Sequence, residues 1–329
     1  MFRKPVRTEV FEYDAPGGAD ALHLRSHDLP APGEREVTVE VVTSAISHVD
    51  EFIRSGAEAS WEESWPRRSG SEFAGIVVAR GEGVTTFPRG AEVVGHVSSG
   101  AHATYVTASV DALVTKPREV TWEVAGGLYL AGATALATLD DLRIGTGDTV
   151  VISAAAGGVG SIEAQVAKHL GARVIGTCGE RNFDYLRQLG IIPVRYGEGM
   201  AERIRKAAAG RELTAMIDNF GKDGSDLHAE LKIPPARYRS SADRRELELT
   251  LLDGSPDAVA KGTELLRRVV ELARRRAFTP LISGFYPLAD IAEAYADLGR
   301  LHSRGKVILA THPVTTYRTL KARDVWEAS

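Results

Sequence analysis

The apolar positions of this chain follow two regimes. In roughly the first 120 residues they alternate with polar ones: Val37, Val39 and Val41 interleave with Thr38 and Glu40, the period of two that turns one strand face inward. Pro32-Gly33 supplies a turn before that run. Further short strands are predicted at Ile76–Ala79 and Val93–Val97, punctuated by Gly81, Gly83, Pro88 and Gly90. Short strands with turn formers about every ten residues predict a small barrel-like unit. From about Trp122 the period becomes helical, through Ala125–Leu142.

The stretch from Asp148 to Cys178 then packs a compact unit into about 30 residues, the length of a strand–helix–strand crossover. Val150–Ile152 reads as a strand buried on both faces, and the chain breaks at Ala155-Ala156-Gly157-Gly158-Val159-Gly160. Ile162, Val166 and Leu170 share one helical face, Gly171 closes the helix, and Arg173–Ile175 is a second apolar strand. The alternation continues with a helix at Asn182–Leu189, a strand ending at Tyr196, a helix at Ala201–Ala208 and a strand at Ala215–Ile217 that ends in Asp218. Ser255-Pro256 caps and starts a helix running to about Arg276. Leu288–Leu298 is one more amphipathic helix, Lys306–Ala310 a last strand, and the tail from Thr311 is polar and expected on the surface. Strands alternating with helices predict an α/β fold with a doubly wound parallel sheet beside the β-rich part.

The broken segment has a chemical reading. Gly157 and Gly160 occupy the places of the second and third glycines of the dinucleotide fingerprint G-x-G-x-x-G, and Ala155 stands at the first. The main chain of Ala156, Gly157, Gly158, Val159 and Gly160 is therefore expected to approach a pyrophosphate, at a helix N-terminus whose dipole favours anions. The alternative for a glycine loop is a tight structural turn. An NAD site usually carries an acidic residue about 20 positions beyond the first glycine. Here Gly176-Thr177-Cys178-Gly179 is small and uncharged, with Arg181 and Asn182 close behind. Without a carboxylate to repel a 2′-phosphate, and with an Arg able to grip one bidentately, NADP(H) is expected over NAD(H). The bland reading of Arg181 is a solvated helix-start residue whose charge Glu180 partly offsets.

Composition narrows the class. The 329 residues, 43% of them hydrophobic, can build two cores, and the net charge of −4 lacks the basic footprint of a nucleic-acid binder. The single cysteine, Cys178, excludes an internal disulfide and a four-cysteine zinc lobe, which fits a cytoplasmic protein. The N-terminal residues hold no continuous apolar core of a signal peptide, and no 18-residue uncharged apolar run occurs, so neither secretion nor membrane spanning is expected.

Four segments together resemble the medium-chain dehydrogenase/reductase superfamily, and within it the zinc-free quinone oxidoreductase-like branch: Ala45–Gly56, Gly70–Val77, Ala154–Gly160 and Arg304-Gly305-Lys306-Val307. The resemblance spans nearly the whole chain. It implies a GroES-like catalytic domain from residues 1–123 and 278–329 and a Rossmann dinucleotide-binding domain from 124–277. It further implies an NADPH-dependent reductase of quinones or of double bonds conjugated to a carbonyl, commonly a homodimer. Zinc-dependent relatives ligate metal at the places of Ser47 and Ser71, and a hydroxyl is a poor zinc ligand beside thiolate or imidazole, so no metal is expected. Glu72 persists, but one carboxylate does not make a site.

The same resemblance places Ser47, His48, Phe52 and Thr134 near the chemistry. Quinone reductases usually carry Asn at Ser47 and Tyr at Phe52. Phe52 cannot donate a proton, and Ser47 keeps a donor with shorter reach. His48 can titrate near neutral pH as a proton shuttle, its alternative being an exposed loop histidine. Asp50 is expected to be structural. Thr134 resembles a threonine that lies beside the nicotinamide, and Tyr196 one near the adenosine phosphate. Trp61 and Trp65 either line a pocket for a flat acceptor or pack within their loop. The altered Ser47 and Phe52 leave two rivals open: an NADPH-binding sensor or structural protein with little turnover, and a tailoring enzyme of a specialised pathway with one bulky enone substrate.

Overall fold

A computed structural model describes residues 6–57, 64–222, 224–300 and 304–312. The chain divides into two compact units. The first comprises Met1–Leu130, Leu249–Arg274 and Ile282–Ser329, and the second Ala131–Glu248 with Arg275–Leu281.

The first unit is built on a seven-stranded sheet. Its strands run in the order Ile282–Pro287, Lys306–Ala310, Glu36–Ile46, Glu72–Arg80, Glu92–His96 and Leu113–Thr115, with Tyr105–Ser109 also paired to Glu36–Ile46. Val37, Val39 and Val41 are fully buried, as their alternation predicts, against Phe73, Val77 and Val93. Beyond Val41 the strand is buried on both faces, because Ile46 joins a separate cluster with Phe11, Tyr13, Tyr286 and Leu309. Two register shifts against Glu72–Arg80 let so long a strand bend from one cluster to the other. A second, three-stranded sheet runs His23–Leu29, Val6–Tyr13, Arg67–Arg68.

The predicted helix Ala125–Leu142 is two helices, Trp122–Ala125 and Tyr129–Asp141. The break falls at Gly126-Gly127, where a Cβ on Gly126 would lie 2.4 Å from the Thr43 hydroxyl. Ser255 accepts the Ala258 N–H at 3.2 Å and so caps the long helix Pro256–Arg274. That helix packs on residues 110–115 of the first unit, although the sequence grouped it with the nucleotide-binding half. Gly262 on it faces the Tyr129 hydroxyl, and Thr263 bonds His96 Nε2 at 2.8 Å.

The second unit is a five-stranded parallel sheet in the order Ile192–Arg195, Arg173–Cys178, Thr149–Ile152, Ala215–Ile217, Tyr238–Arg239. This is the doubly wound order, in which the winding reverses between Thr149–Ile152 and Ala215–Ile217. Val150, Val151 and Ile152 are fully buried, as a strand covered on both faces requires. Ile162 and Val166 face the core from the helix Gly158–His169, but Leu170 is 42% exposed. It follows the last helical residue, so the chain has turned away before its side chain reaches the core.

Candidate cofactor and substrate sites

The second unit carries the candidate nucleotide cradle. The strand Thr149–Ile152 ends in a turn with Ala154 at φ 47°, and the Ala155 N–H is tied to the Thr177 carbonyl at 3.1 Å. Gly157 precedes the helix Gly158–His169 in an extended conformation, without a side-chain cap. The amides of the first helical turn have no carbonyl within the helix to bond, so Gly158, Val159 and Gly160 present donors toward any anion at that end. A Cβ at Gly160 would lie 2.5 Å from the Ala154 carbonyl oxygen, so only glycine lets the helix start this close to the turn. Ala155, where the fingerprint has its first glycine, is accommodated from the neighbouring strand: its methyl lies 2.6 Å from the point a Cβ on Gly176 would occupy.

Around the end of Arg173–Cys178 the sequence-predicted residues come together. Thr177 and Asn182 are buried, and Arg181 is exposed on the turn Glu180–Asn182. Glu180 pairs with Arg195 at 3.2 Å, which draws the acidic neighbour of Arg181 toward another cation. The Tyr196 hydroxyl lies 3.7 Å from the space beside Gly179. Arg203 donates to the carbonyls of Arg195, Tyr196, Gly197 and Glu198 and fixes the loop that carries Tyr196. Thr134 Oγ1 and Asn182 Oδ1 are among the buried polar atoms of this unit that have no hydrogen-bond partner among the described residues. A buried donor or acceptor left unbonded costs about 1–3 kcal/mol, so such atoms point to a missing ligand or water.

The switch point holds a network that periodicity did not reveal. Ser153 Oγ donates to Asp218 Oδ1 at 2.7 Å, and the Phe220 and Gly221 amides donate to the same oxygen, which shapes the loop after Ala215–Ile217. The next residue, Asn219, donates to Glu163 Oε2 at 2.5 Å. Glu163 is fully buried on the cradle helix, and burial pushes its carboxyl up to about 7. The only sequence clue was one acid beside Ile162 on the inward face.

The first unit holds the other candidate residues. Ser47 caps the helix His48–Arg54: its N–H and its hydroxyl both donate to Asp50 Oδ2 at 2.7 Å. The Ser47 proton is thus engaged, and Asp50 is structural in that role. His48 lies with its side chain 55% exposed and its Nδ1 2.9 Å from Glu51 Oε2, the geometry of a surface histidine. Phe52 is half-buried. Nearby, Glu12, Tyr13, Asp50, Arg67, Ser69 and Ser71 help to line a cavity of ≈830 Å³. Trp65 stands edge-on to Tyr13 at 5.7 Å, whereas Trp61 lies outside the described residues. Ser71, one of the two places where the resemblance would put a zinc ligand, is a buried hydroxyl, and the neighbouring Glu72 is consumed by Lys306 Nζ at 2.8 Å and the Leu130 N–H at 3.1 Å. Among the described residues no cluster of three or more His, Cys, Asp or Glu is placed to hold a metal, and no helix is long and apolar enough to cross a membrane.

Two family models match: the alcohol dehydrogenase GroES-like domain over residues 33–118, and the zinc-binding dehydrogenase over residues 181–309. The chain belongs to the medium-chain dehydrogenase/reductase superfamily and is quinone oxidoreductase-like. A mycocerosic acid synthase-like polyketide synthase of Mycobacterium tuberculosis is 31% identical over 317 residues, covering 89% of this chain but 15% of the synthase. The chain therefore spans only 15% of the length of such polyketide synthase relatives. A chloroplastic quinone oxidoreductase of Triphysaria versicolor is 29% identical, covering 89% of this chain and 95% of that one. Among solved structures, a mycobacterial protein complexed with NADPH has a TM-score of 0.75 at 26% identity, covering 92% of this chain and 99% of the other. This dehydrogenase/reductase thus carries the GroES-like and Rossmann pair expected from its sequence.

Proposed function

We propose that this dehydrogenase/reductase is an NADPH-dependent oxidoreductase that transfers hydride, without a metal, to a quinone or a carbon–carbon double bond conjugated to a carbonyl. The observation that carries the reading is the cradle: uncapped helix amides beside a carboxylate-free strand end, followed by Arg181. The NADPH bound by a relative of similar fold supports it. In this reading the amides of Ala156 to Gly160 hold the diphosphate, Arg181 grips the 2′-phosphate, and Asn182, Thr177 and Tyr196 border the adenosine end. The unpartnered Thr134 hydroxyl orients the nicotinamide carboxamide. Bound NADPH would supply the hydride, and the protein's task is to orient the ring and stabilise the charge that develops on the acceptor oxygen. Metal independence rests on the residue types at 47 and 71 and on the engagement of Glu72 by Lys306.

Calorimetric titration with NADPH and NADH, together with NADPH consumption over a panel of simple quinones and bulky enones, tests this. Absence of binding to either nucleotide by folded protein refutes it. One observation favours a second reading, an NADPH-binding protein with little turnover: the two family positions that usually donate near the acceptor are a serine already bonded to Asp50 and a phenylalanine. Nucleotide binding with no turnover across the panel selects that reading. We further infer a cytoplasmic homodimer from the family resemblance, and a sedimentation mass of one chain would refute the dimer.

A further inference from the structure

The first unit brings a hydroxyl and an imidazole together away from the residues assigned to cofactor and acceptor. Ser69 is 5% exposed and helps to line the ≈830 Å³ cavity, a volume ordinary for a small-molecule site. Its Oγ lies 2.9 Å from Nδ1 of His102, which is fully buried. The other ring nitrogen, Nε2, lies 3.0 Å from the Ala45 carbonyl oxygen. Burial holds the imidazole neutral at pH 7, and a carbonyl only accepts. Nε2 therefore carries the ring proton, Nδ1 is left as an acceptor, and Ser69 donates to it. A serine whose proton points at a neutral imidazole, itself oriented by a third group, has the arrangement of an activated nucleophile. We propose that Ser69 and His102 form a nucleophile–base pair with which the first unit hydrolyses small acyl esters. The proposal is independent of the NADPH-reductase reading.

The backbone holds the two residues in this relation. The His102 N–H donates to the Ser69 carbonyl at 3.0 Å, the Ala101 N–H to the Gly70 carbonyl at 3.0 Å, and the Ser69 N–H to the Phe11 carbonyl at 2.9 Å. Gly70 follows Ser69 at φ 90°, and a Cβ there would lie 2.4 Å from the imidazole, so glycine lets the ring come this close. Tyr295 completes the cluster. It is 2% exposed, with the Arg54 guanidinium 4.4 Å from its ring centre. Its hydroxyl faces Ser69 without completing a hydrogen bond among the described residues. Burial keeps that phenol protonated well above neutral pH, which leaves it a donor beside the nucleophile.

The charges suit the transfer. Burial is the largest influence on His102 and lowers it; Asp50, the Ala45 carbonyl and Glu72 favour the imidazolium, and Arg54 opposes it. The base is unprotonated at neutral pH, and the imidazolium formed when Ser69 gives up its proton has two carboxylates to stabilise it. In the first step the Ser69 O–H proton passes to Nδ1, Oγ forms a bond to the acyl carbon, and the carbonyl π pair moves onto the acyl oxygen. The Tyr295 hydroxyl donates to that oxygen. The C–O bond to the leaving alcohol then breaks, and the leaving oxygen takes the proton from Nδ1. Water repeats the sequence on the acyl-serine and releases a carboxylic acid and free Ser69. The sum is ester plus water giving acid plus alcohol, with nothing oxidised or reduced.

The test uses the full-length chain without nucleotide. Two readouts are taken: release of 4-nitrophenolate from 4-nitrophenyl acetate, and the site of covalent labelling by diisopropyl fluorophosphate, mapped by peptide mass spectrometry. We expect wild type to cleave the ester with saturation kinetics, and Ser69→Ala and His102→Gln each to lose about 100-fold or more in kcat/KM, the usual worth of a positioned base. We expect the phosphoryl label on Ser69, formed roughly tenfold or more slowly in H102Q. Wild type with no cleavage above buffer, Ser69→Ala with undiminished cleavage, or label on other residues only overturns the proposal. If the variants do not fold, labelling of wild type decides in their place: label on Ser69 supports the pair, and none there overturns it.

Discussion

Glu163 offers a quantitative test of the second unit. It is fully buried on the cradle helix, with Asn219 Nδ2 2.5 Å from one oxygen and no partner for the other among the described residues. Burial raises its carboxyl from 4.5 to about 7, Glu248 adds to the rise, and the Asn219 hydrogen bond and Arg244 oppose it. Between those two values the native protein holds a proton that the unfolded chain has released. Stability from this group therefore falls as pH rises through the window, and the loss is complete above about 7. Each tenfold gain in proton affinity on folding is worth about 1.4 kcal/mol, so the full effect is on the order of 3 kcal/mol.

Glu163→Gln keeps the shape and the Asn219 contact and removes the titration. We expect the difference in unfolding free energy between E163Q and wild type to be near zero at pH 4.5 and to grow to about 3 kcal/mol in favour of E163Q at pH 8. Guanidinium unfolding followed by far-ultraviolet circular dichroism measures it, and amide exchange in Thr149–Ile152 reports it within the second unit alone. Taking the difference cancels His96, whose burial lowers it to about 4 and whose contribution is lost as pH falls below its ordinary 6.5. A difference independent of pH, or an E163Q protein less stable than wild type at pH 8, would show that Glu163 is ionised in its buried site and that the reasoning is wrong.

Three further outcomes follow from the geometry. Arg181→Ala should weaken NADPH at least tenfold, the worth of a charge-assisted hydrogen bond, and leave NADH within twofold; equal weakening of both in calorimetry removes Arg181 from the 2′-phosphate. Gly160→Ala puts a methyl 2.5 Å from the Ala154 carbonyl, so its NADPH dissociation constant should rise tenfold or more and its melting temperature should drop; unchanged titrations and melting curves would contradict the close approach. Lys306→Met strands the buried Glu72 carboxylate and should cost about 3–5 kcal/mol, whereas the double variant Lys306→Met with Glu72→Leu should recover most of it; a double variant no better than the single would count against the pair.

Local order was legible where one chemical demand controls one short segment. The cradle needed only a buried strand, two glycines and a helix start, and each lies in consecutive residues, so the fold and the place of Ala156–Gly160 could be read directly. The strand Lys306–Ala310 and the helix cap at Ser255 were equally visible. Residues paired across long separations were hidden. Tyr13 meets Arg67 only because two strands align, Glu163 meets Asn219 only across the switch point, and Lys306 reaches Glu72 from the far end of the chain. Periodicity carries no information about such pairs, since each member alone reads as an ordinary strand or helix residue. The same limit explains Gly126-Gly127, where a break in a helical pattern was set by Thr43 on another strand. What a segment offers through its own backbone is written locally, whereas a cavity such as the one lined by Tyr13, Asp50 and Arg67 is assembled from side chains brought together from separate elements.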